Sequence, residues 1–210
     1  VEAMRIPFEV DGRELFVSVS LGISIFPQDG LDGETLMANA DVAMYRAKDA
    51  GRDNFQWFAA EMNILAHERM TLDSQLRRAM DLGQLSLHYQ PQCSASGEIQ
   101  ALEALMRWQH PTLGMVPPSR FIPLAEDSGL IVQMGEWALR QACSQAAAWR
   151  AEGYPCLRIS VNVSAVQFRR GDWVDTVRQA LKDSGLDPSA LELEITESLL
   201  LQNVKETSSN

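Results

Sequence analysis

The feature that most constrains the fold is a change of hydrophobic period partway along the chain. From Gln84 onward, short apolar runs alternate with amphipathic segments in the order strand, loop, helix, strand, helix, strand. Strands are expected at Leu85 to Gln90, Ile99 to Arg107, Leu157 to Val163 and Leu191 to Thr196, and helices at Leu130 to Glu152 and Asp172 to Ser184. Alternation of this kind argues for parallel βαβ units. Several strands have few polar positions, as expected when both faces of a sheet are covered. Period alone leaves two architectures open, a doubly wound sheet and a (β/α) barrel.

The chain before Gln84 reads as a separate piece. From Phe16 to Phe26, Val17, Val19, Leu21, Ile23 and Ile25 alternate with small polar residues, the period of a strand. Asp11-Gly12 ahead of it is a tight-turn signal. Leu36, Ala40, Met44 and Ala47 then recur at helical spacing, with Asp32 as N-cap and Gly51 as stop. Strand character returns at Phe55 to Phe58. A helix is expected from about Ala59 to Leu82, ended by Gly83, with the domain boundary inside it near Met70. The expected organisation is a first piece over 1–58, a connecting helix over 59–71 and a second domain from 72 to 210.

Charge and composition exclude several classes. With 28 acidic and 18 basic side chains the formal charge is −10, a field that repels phosphate backbones and argues against nucleic-acid binding. No apolar run reaches the length of about 18 residues that a membrane span needs, and the N-terminal segment lacks the apolar stretch of a signal peptide. A cytoplasmic location follows, with any membrane tether lying upstream, since a chain opening on Val1 reads as the interior of a longer polypeptide. Cys93, Cys143 and Cys156 are odd in number and form no C-x-x-C pair, so they read as reduced thiols. His67, His88 and His110 have no zinc-ligand spacing.

The chemistry concentrates at strand ends. Glu103 falls in the second half of its expected strand, and Asn162 and Glu194 end two others. In a barrel those ends build the active site. Two carboxylates and an amide oxygen would form a hard ligand set suited to Mg²⁺ or Mn²⁺ and poorly suited to zinc. The competing reading is that these are salt-bridged or capping residues; spacing alone does not choose.

The local sequences choose. Tyr89-Gln90-Pro91, EALMRW (Glu103 to Trp108), His110-Pro111, PPSRFIPLAEDSGLI (Pro117 to Ile131), NVS (Asn162 to Ser164) and ELEITES (Glu192 to Ser198) resemble the EAL family of cyclic-di-GMP phosphodiesterases in order and spacing. The resemblance runs from Leu72 to Val204. It implies an EAL-type (β/α) TIM-like barrel that hydrolyses cyclic di-GMP to the linear dinucleotide with a metal-activated water. By resemblance, Glu103, Asn162 and Glu194 are the catalytic metal ligands, and Glu197 anchors an active-site loop. Arg107 contacts a substrate phosphate and Gln90 lines the substrate pocket. A guanidinium suits the first of these roles, offering paired planar donors to a phosphate. Trp108, Phe121 and Pro123 read as packing residues.

The family pattern continues with an Asp-Asp pair, a lysine and a further glutamate, which the sequence ending at Asn210 does not contain. From Leu72 to Asn210 the chain has about 140 residues, where a whole barrel takes about 250, so half a barrel without turnover of its own is expected. The first piece resembles the C-terminal part of a GGDEF (diguanylate cyclase) domain, through VSLGISIFPQDG and ADVAMYRAKDAGRDNF. That resemblance implies phosphate contacts for Lys48 and Arg52; the plain alternative is a solvated helix end, where cations suit the helix dipole. The fold expected overall is α/β, the end of a GGDEF domain joined by a helix to the first half of an EAL barrel. Homodimers through either domain are consistent with it. Two other functions fit the same residues: a degenerate EAL domain that senses cyclic di-GMP without cutting it, and a net diguanylate cyclase with a silent EAL partner.

Overall fold

In the computed structural model, which describes residues 1–10, 12–154, 158–169 and 172–195, the chain divides into two compact units, Val1–Thr71 and Leu72–Asn210. Each is built around its own βα elements.

In the first unit, β1 (Phe8–Val10) and β2 (Arg13–Leu15) form an antiparallel hairpin. Gly12 in the turn has a φ of 74°, backbone that favours glycine. A βαβ unit follows: β3 (Leu21–Ile23) lies parallel to β4 (Phe55–Trp57), with α1 (Gly33–Asp49) between them. Asp32 caps α1 by accepting from the Thr35 amide at 2.8 Å, and the Thr35 hydrogen bonds hold its carboxyl below the usual range. Ala43 and Ala47 are buried on the helix. Gly22 lets α1 sit against β3, because a Cβ there would lie 1.9 Å from the Ala40 carbonyl oxygen.

The ladder is much shorter than the alternation over Phe16 to Phe26 suggests. Only Leu21–Ile23 pairs, and Phe16 and Val17 are exposed. Alternating apolar residues favour extended chain, but a strand also needs a partner, and β4 is three residues long. The helix α2 (Glu61–Ala79) is trimmed at both ends relative to the expected Ala59 to Leu82.

The second unit starts with the buried face of α2 at Leu72, Leu76 and Ala79. Its sheet has the order β5 (Leu85–Cys93), β6 (Ile99–His110), β8 (Arg158–Val163), β9 (Leu191–Ile195), with β7 (Gly114–Val116) paired to the far end of β6. The β6–β8 and β8–β9 pairs are parallel as expected, whereas β5–β6 is antiparallel. The connection at Ser94–Glu98, with Gly97 at a φ of 85°, is a tight turn and far too short for a parallel crossover. Helices α3 (Pro118–Ser128), α4 (Ile131–Ala151), α5 (Ala165–Phe168) and α6 (Trp173–Ser184) follow, with α3, α4 and α6 packed against the strands. The expected helices do not include α3, which opens on Pro118, and proline is favoured in the first turn of a helix.

Period two sorts the strands. Ala104, Ile159, Val161 and Val163 pack with Leu139, Cys143 and Ala146 of α4 and Trp173 and Ala180 of α6. A second cluster joins α2 to α3 and α4 through Leu76, Leu85, Trp108, Phe121 and Met134. Trp108 is wholly buried, its ring edge-on to Phe121 and its indole N–H donating to Gln84 at 3.2 Å, a packing residue. His110 is also buried, its Nδ1 accepting from the Leu113 amide at 3.1 Å.

The opposite face carries the polar residues and curls inward. Gln92 on β5 donates to Glu194 on β9 at 3.1 Å although β6 and β8 lie between them. In a flat sheet those strands would stand about 14 Å apart. This curvature is that of the first half of a (β/α) barrel. No described helix is long and apolar enough to cross a membrane.

Candidate active site

The concave face assembles the site by register. Glu103 is paired with Gln90 across the antiparallel β5–β6 ladder and with Ser160 across the parallel β6–β8 ladder. Asn162 is paired with Glu194 across β8–β9. Paired residues point to the same face, so Gln90, Glu103, Ser160, Asn162 and Glu194 all look into the curl. Asn162 Nδ2 donates to Glu103 Oε1 at 2.7 Å. Glu194 Oε1 is held by Gln92, whose Nε2 also stands 3.5 Å from Ser160 Oγ.

Arg107 lies on the same face of β6 as Glu103, its Nη1 donating to the Met106 carbonyl at 2.9 Å. It lines a cavity of about 250 Å³ with Asn162, Glu126 and Gln167, between β6, β8 and helices α3 and α4. The strand β6 runs to His110, so Glu103 is the fifth of its twelve residues and does not fall in the second half. The continuation past Arg107 is the partner of β7, which sequence reasoning missed. Within the part of β6 that pairs with β8, Ala101 to Ala104, Glu103 is next to last.

The site stands on buried supports. Ser164, two residues beyond Asn162, caps α5: its Oγ accepts from the Val166 amide at 3.2 Å and donates to Glu126 of α3 at 2.6 Å. Its own amide donates to Gln167 Oε1 at 2.9 Å, completing a capping box. Gln167 lies over Gly135 of α4, where a Cβ would come within 2.0 Å of its Nε2. The end of β8 is thereby tied to α3 and α4. On the other side, burial raises the Tyr89 hydroxyl above its ordinary value, with the ring edge-on to Trp149 at 4.8 Å.

Of the residues singled out from sequence, Gln90, Glu103, Arg107, Asn162 and Glu194 share one face. Glu197 lies outside the described residues. Lys48 and Arg52 belong to the first unit, exposed at the end of α1 and just after it, Arg52 with a φ of 58°. Sequence reasoning missed Gln92, Ser160, Glu126 and Gln167. Gln92 was within reach: it follows Gln90 by two, so continuing β5 past Gln90 puts it on the same face. Glu126 and Gln167 had no such signal, since their partners are set by helix packing.

Among the described residues no group of three or more His, Cys, Asp or Glu is arranged to hold a metal ion. The concave face offers the carboxylates of Glu103 and Glu194 and the amide oxygen of Asn162, with Gln90, Gln92 and Ser160 beside them. By chemistry they fit a hard divalent cation, which keeps waters in part of its shell.

A curled βα sheet with an acidic and amide cluster on its inner face defines a class, and comparison with known proteins gives that class its name. The chain belongs to the EAL domain family, whose model matches residues 73–210. The model for the diguanylate cyclase GGDEF domain matches residues 1–54. The chain is 45% identical over 204 residues to the bifunctional diguanylate cyclase/cyclic di-GMP phosphodiesterase MucR of Pseudomonas aeruginosa, covering 97% of this chain and 30% of that protein. It is 41% identical over 208 residues to the cyclic di-GMP phosphodiesterase NbdA of the same organism, covering 99% of this chain and 27% of that one. A solved complex of the PaMucR phosphodiesterase with c-di-GMP superposes with a TM-score of 0.63 at 46% identity, over 65% of this chain and 56% of that one. The chain thus spans less than a third of the curated relatives it matches.

Proposed function

We propose that the second unit carries the first half of the catalytic face of a cyclic-di-GMP phosphodiesterase. The observation that supports this most is the 2.7 Å contact between Asn162 and Glu103 on the inner face, with Glu194 paired directly to Asn162 on the next strand. In this reading Glu103, Asn162 and Glu194 hold Mg²⁺ or Mn²⁺. A cation held there would supply a water of lowered pKa and stabilisation of the charge that develops on the phosphodiester oxygens.

The residues present do the rest. Arg107 meets a phosphate of the dinucleotide with its planar donors, and Gln90, paired with Glu103 across the β5–β6 ladder, faces the same side of the sheet and lines the substrate pocket in this reading. The net charge of −10 makes local neutralisation necessary for an anionic substrate, which gives both the cation and Arg107 a role in binding. Glu197 anchors an active-site loop in this reading. In the first unit, Lys48 and Arg52 are proposed as nucleotide phosphate contacts. The relatives named for this activity support the substrate, and the setting of that chemistry is the cytoplasm. Homodimerisation through either domain belongs to the same proposal.

The test is hydrolysis of cyclic di-GMP by the natural full-length protein with Mg²⁺ or Mn²⁺, beside Glu103→Ala. A Glu103→Ala rate at least a hundredfold lower is expected, because loss of even an outer-shell partner of a metal costs about 10–100-fold. Equal rates overturn the assignment. Binding without turnover in both proteins would make the domain a sensor.

A further inference from the structure

We infer that Gln92 is a positioning residue that sets the orientation of the Glu194 carboxylate toward the Glu103–Asn162 pair. The inference rests on the proposed cation site and adds a residue to it. Gln92 belongs to β5, which runs antiparallel to β6, whereas β6, β8 and β9 run parallel to one another. Its backbone partner is Ala101, so the side chain has no large neighbour across the ladder. It crosses the curl and donates through Nε2 to Glu194 Oε1 at 3.1 Å.

The contact has a chemical consequence. With Oε1 accepting from the amide, Oε2 of Glu194 is the less encumbered oxygen to meet a cation, and the hydrogen bond restricts rotation of the carboxylate. Glu194 sits on β9, with Asn162 as its neighbour on β8. Removing Gln92 removes the hydrogen bond that orients the Glu194 side chain. A neutral amide serves this role without adding positive charge that would compete with the cation. Hydrogen bonds of this outer kind fix ligand orientation at metal centres generally.

The experiment is titration of the natural full-length protein with Mn²⁺, free Mn²⁺ being followed by its electron paramagnetic resonance signal, with no nucleotide present. Gln92→Leu and Gln92→Ser, both unable to reach Glu194, should raise the Mn²⁺ dissociation constant about tenfold, the low end of what outer-shell partners contribute. Their unfolding midpoints should stay at the wild-type value. Gln92→His, which keeps a ring N–H donor, should recover most of the affinity. Glu194→Gln run in parallel separates the two claims. If Glu194→Gln weakens Mn²⁺ binding while both loss variants bind as wild type does, the role of Gln92 is overturned and the cation site stands. If Glu194→Gln binds Mn²⁺ as wild type does, the site itself falls, and the role of Gln92 with it. Loss variants that weaken binding with no recovery by Gln92→His would reduce Gln92 to a packing residue and also overturn the inference.

Discussion

Asn162 Nδ2 donates to Glu103 Oε1 at 2.7 Å across two parallel strands whose register pairs neither residue with the other. Glu103 faces Ser160, so the bond to Asn162 runs diagonally, one step nearer the C-terminal end of β8. Replacing Asn162 by Asp would exchange the donor for a second carboxylate. Without divalent cation the variant should be less stable by about 1 kcal/mol, a modest figure because the pair faces solvent. Adding Mg²⁺ should narrow that gap, since a cation relieves the repulsion. Thermal unfolding with and without Mg²⁺ checks both parts, and a gap that Mg²⁺ leaves unchanged would argue against a cation between these residues.

Ser164 links the site to its supports. Ser164→Ala removes the acceptor for the Val166 amide and the donor to Glu126. The loss should be about 1–2 kcal/mol, a cap together with a hydrogen bond to a carboxylate. Urea denaturation measures it, and a change below a few tenths of a kcal/mol would contradict the buried network.

Gly22 is a packing requirement of the first unit. A Cβ there would meet the Ala40 carbonyl oxygen at 1.9 Å and the Met44 amide nitrogen at 2.2 Å. Both are backbone atoms of α1 and cannot rotate away. Gly22→Ala should therefore cost about 3 kcal/mol, the upper part of the range for overpacking. The expected signature is early melting of the first unit, readable by hydrogen exchange at β3 and α1 amides while the second unit keeps its protection.

The cysteines should differ in reactivity. Cys143 is wholly buried on α4, and burial pushes its thiol up to about 11, whereas Cys93 is exposed. A maleimide at pH 8 should label Cys93 within minutes and leave Cys143 intact until the protein is unfolded. The raised value also fixes a sign. An unfolded thiol titrates near about 8.5, so the unfolded chain gives up this proton first. The stability linked to a neutral Cys143 is complete below that pH and declines as pH rises toward about 11. Denaturation of wild type and Cys143→Ala at neutral and alkaline pH should show the wild type losing ground on the variant as pH rises.

Local sequence was enough for β5, β6, β8, β9 and the long helices α4 and α6, and for Gln90, Glu103, Arg107, Asn162 and Glu194 on the face, though not for β7 or α3. Period two in β6 and β8, with Glu103 and Asn162 among apolar neighbours, follows from the alternation of side chains along a strand, a local property. The family motifs fixed which of these polar residues belong together. Tertiary structure decided what local period leaves free: that β5 runs antiparallel to β6, that the alternation before Leu21 gains no ladder, and that the sheet curls. Curvature depends on strands packing against helices far away in sequence, and it alone brings Gln92 of the first strand to Glu194 of the last. For the same reason Glu126 and Gln167 could not be read as supports of Asn162, since a hydrogen bond between α3 and the end of β8 exists only once both are packed on one sheet.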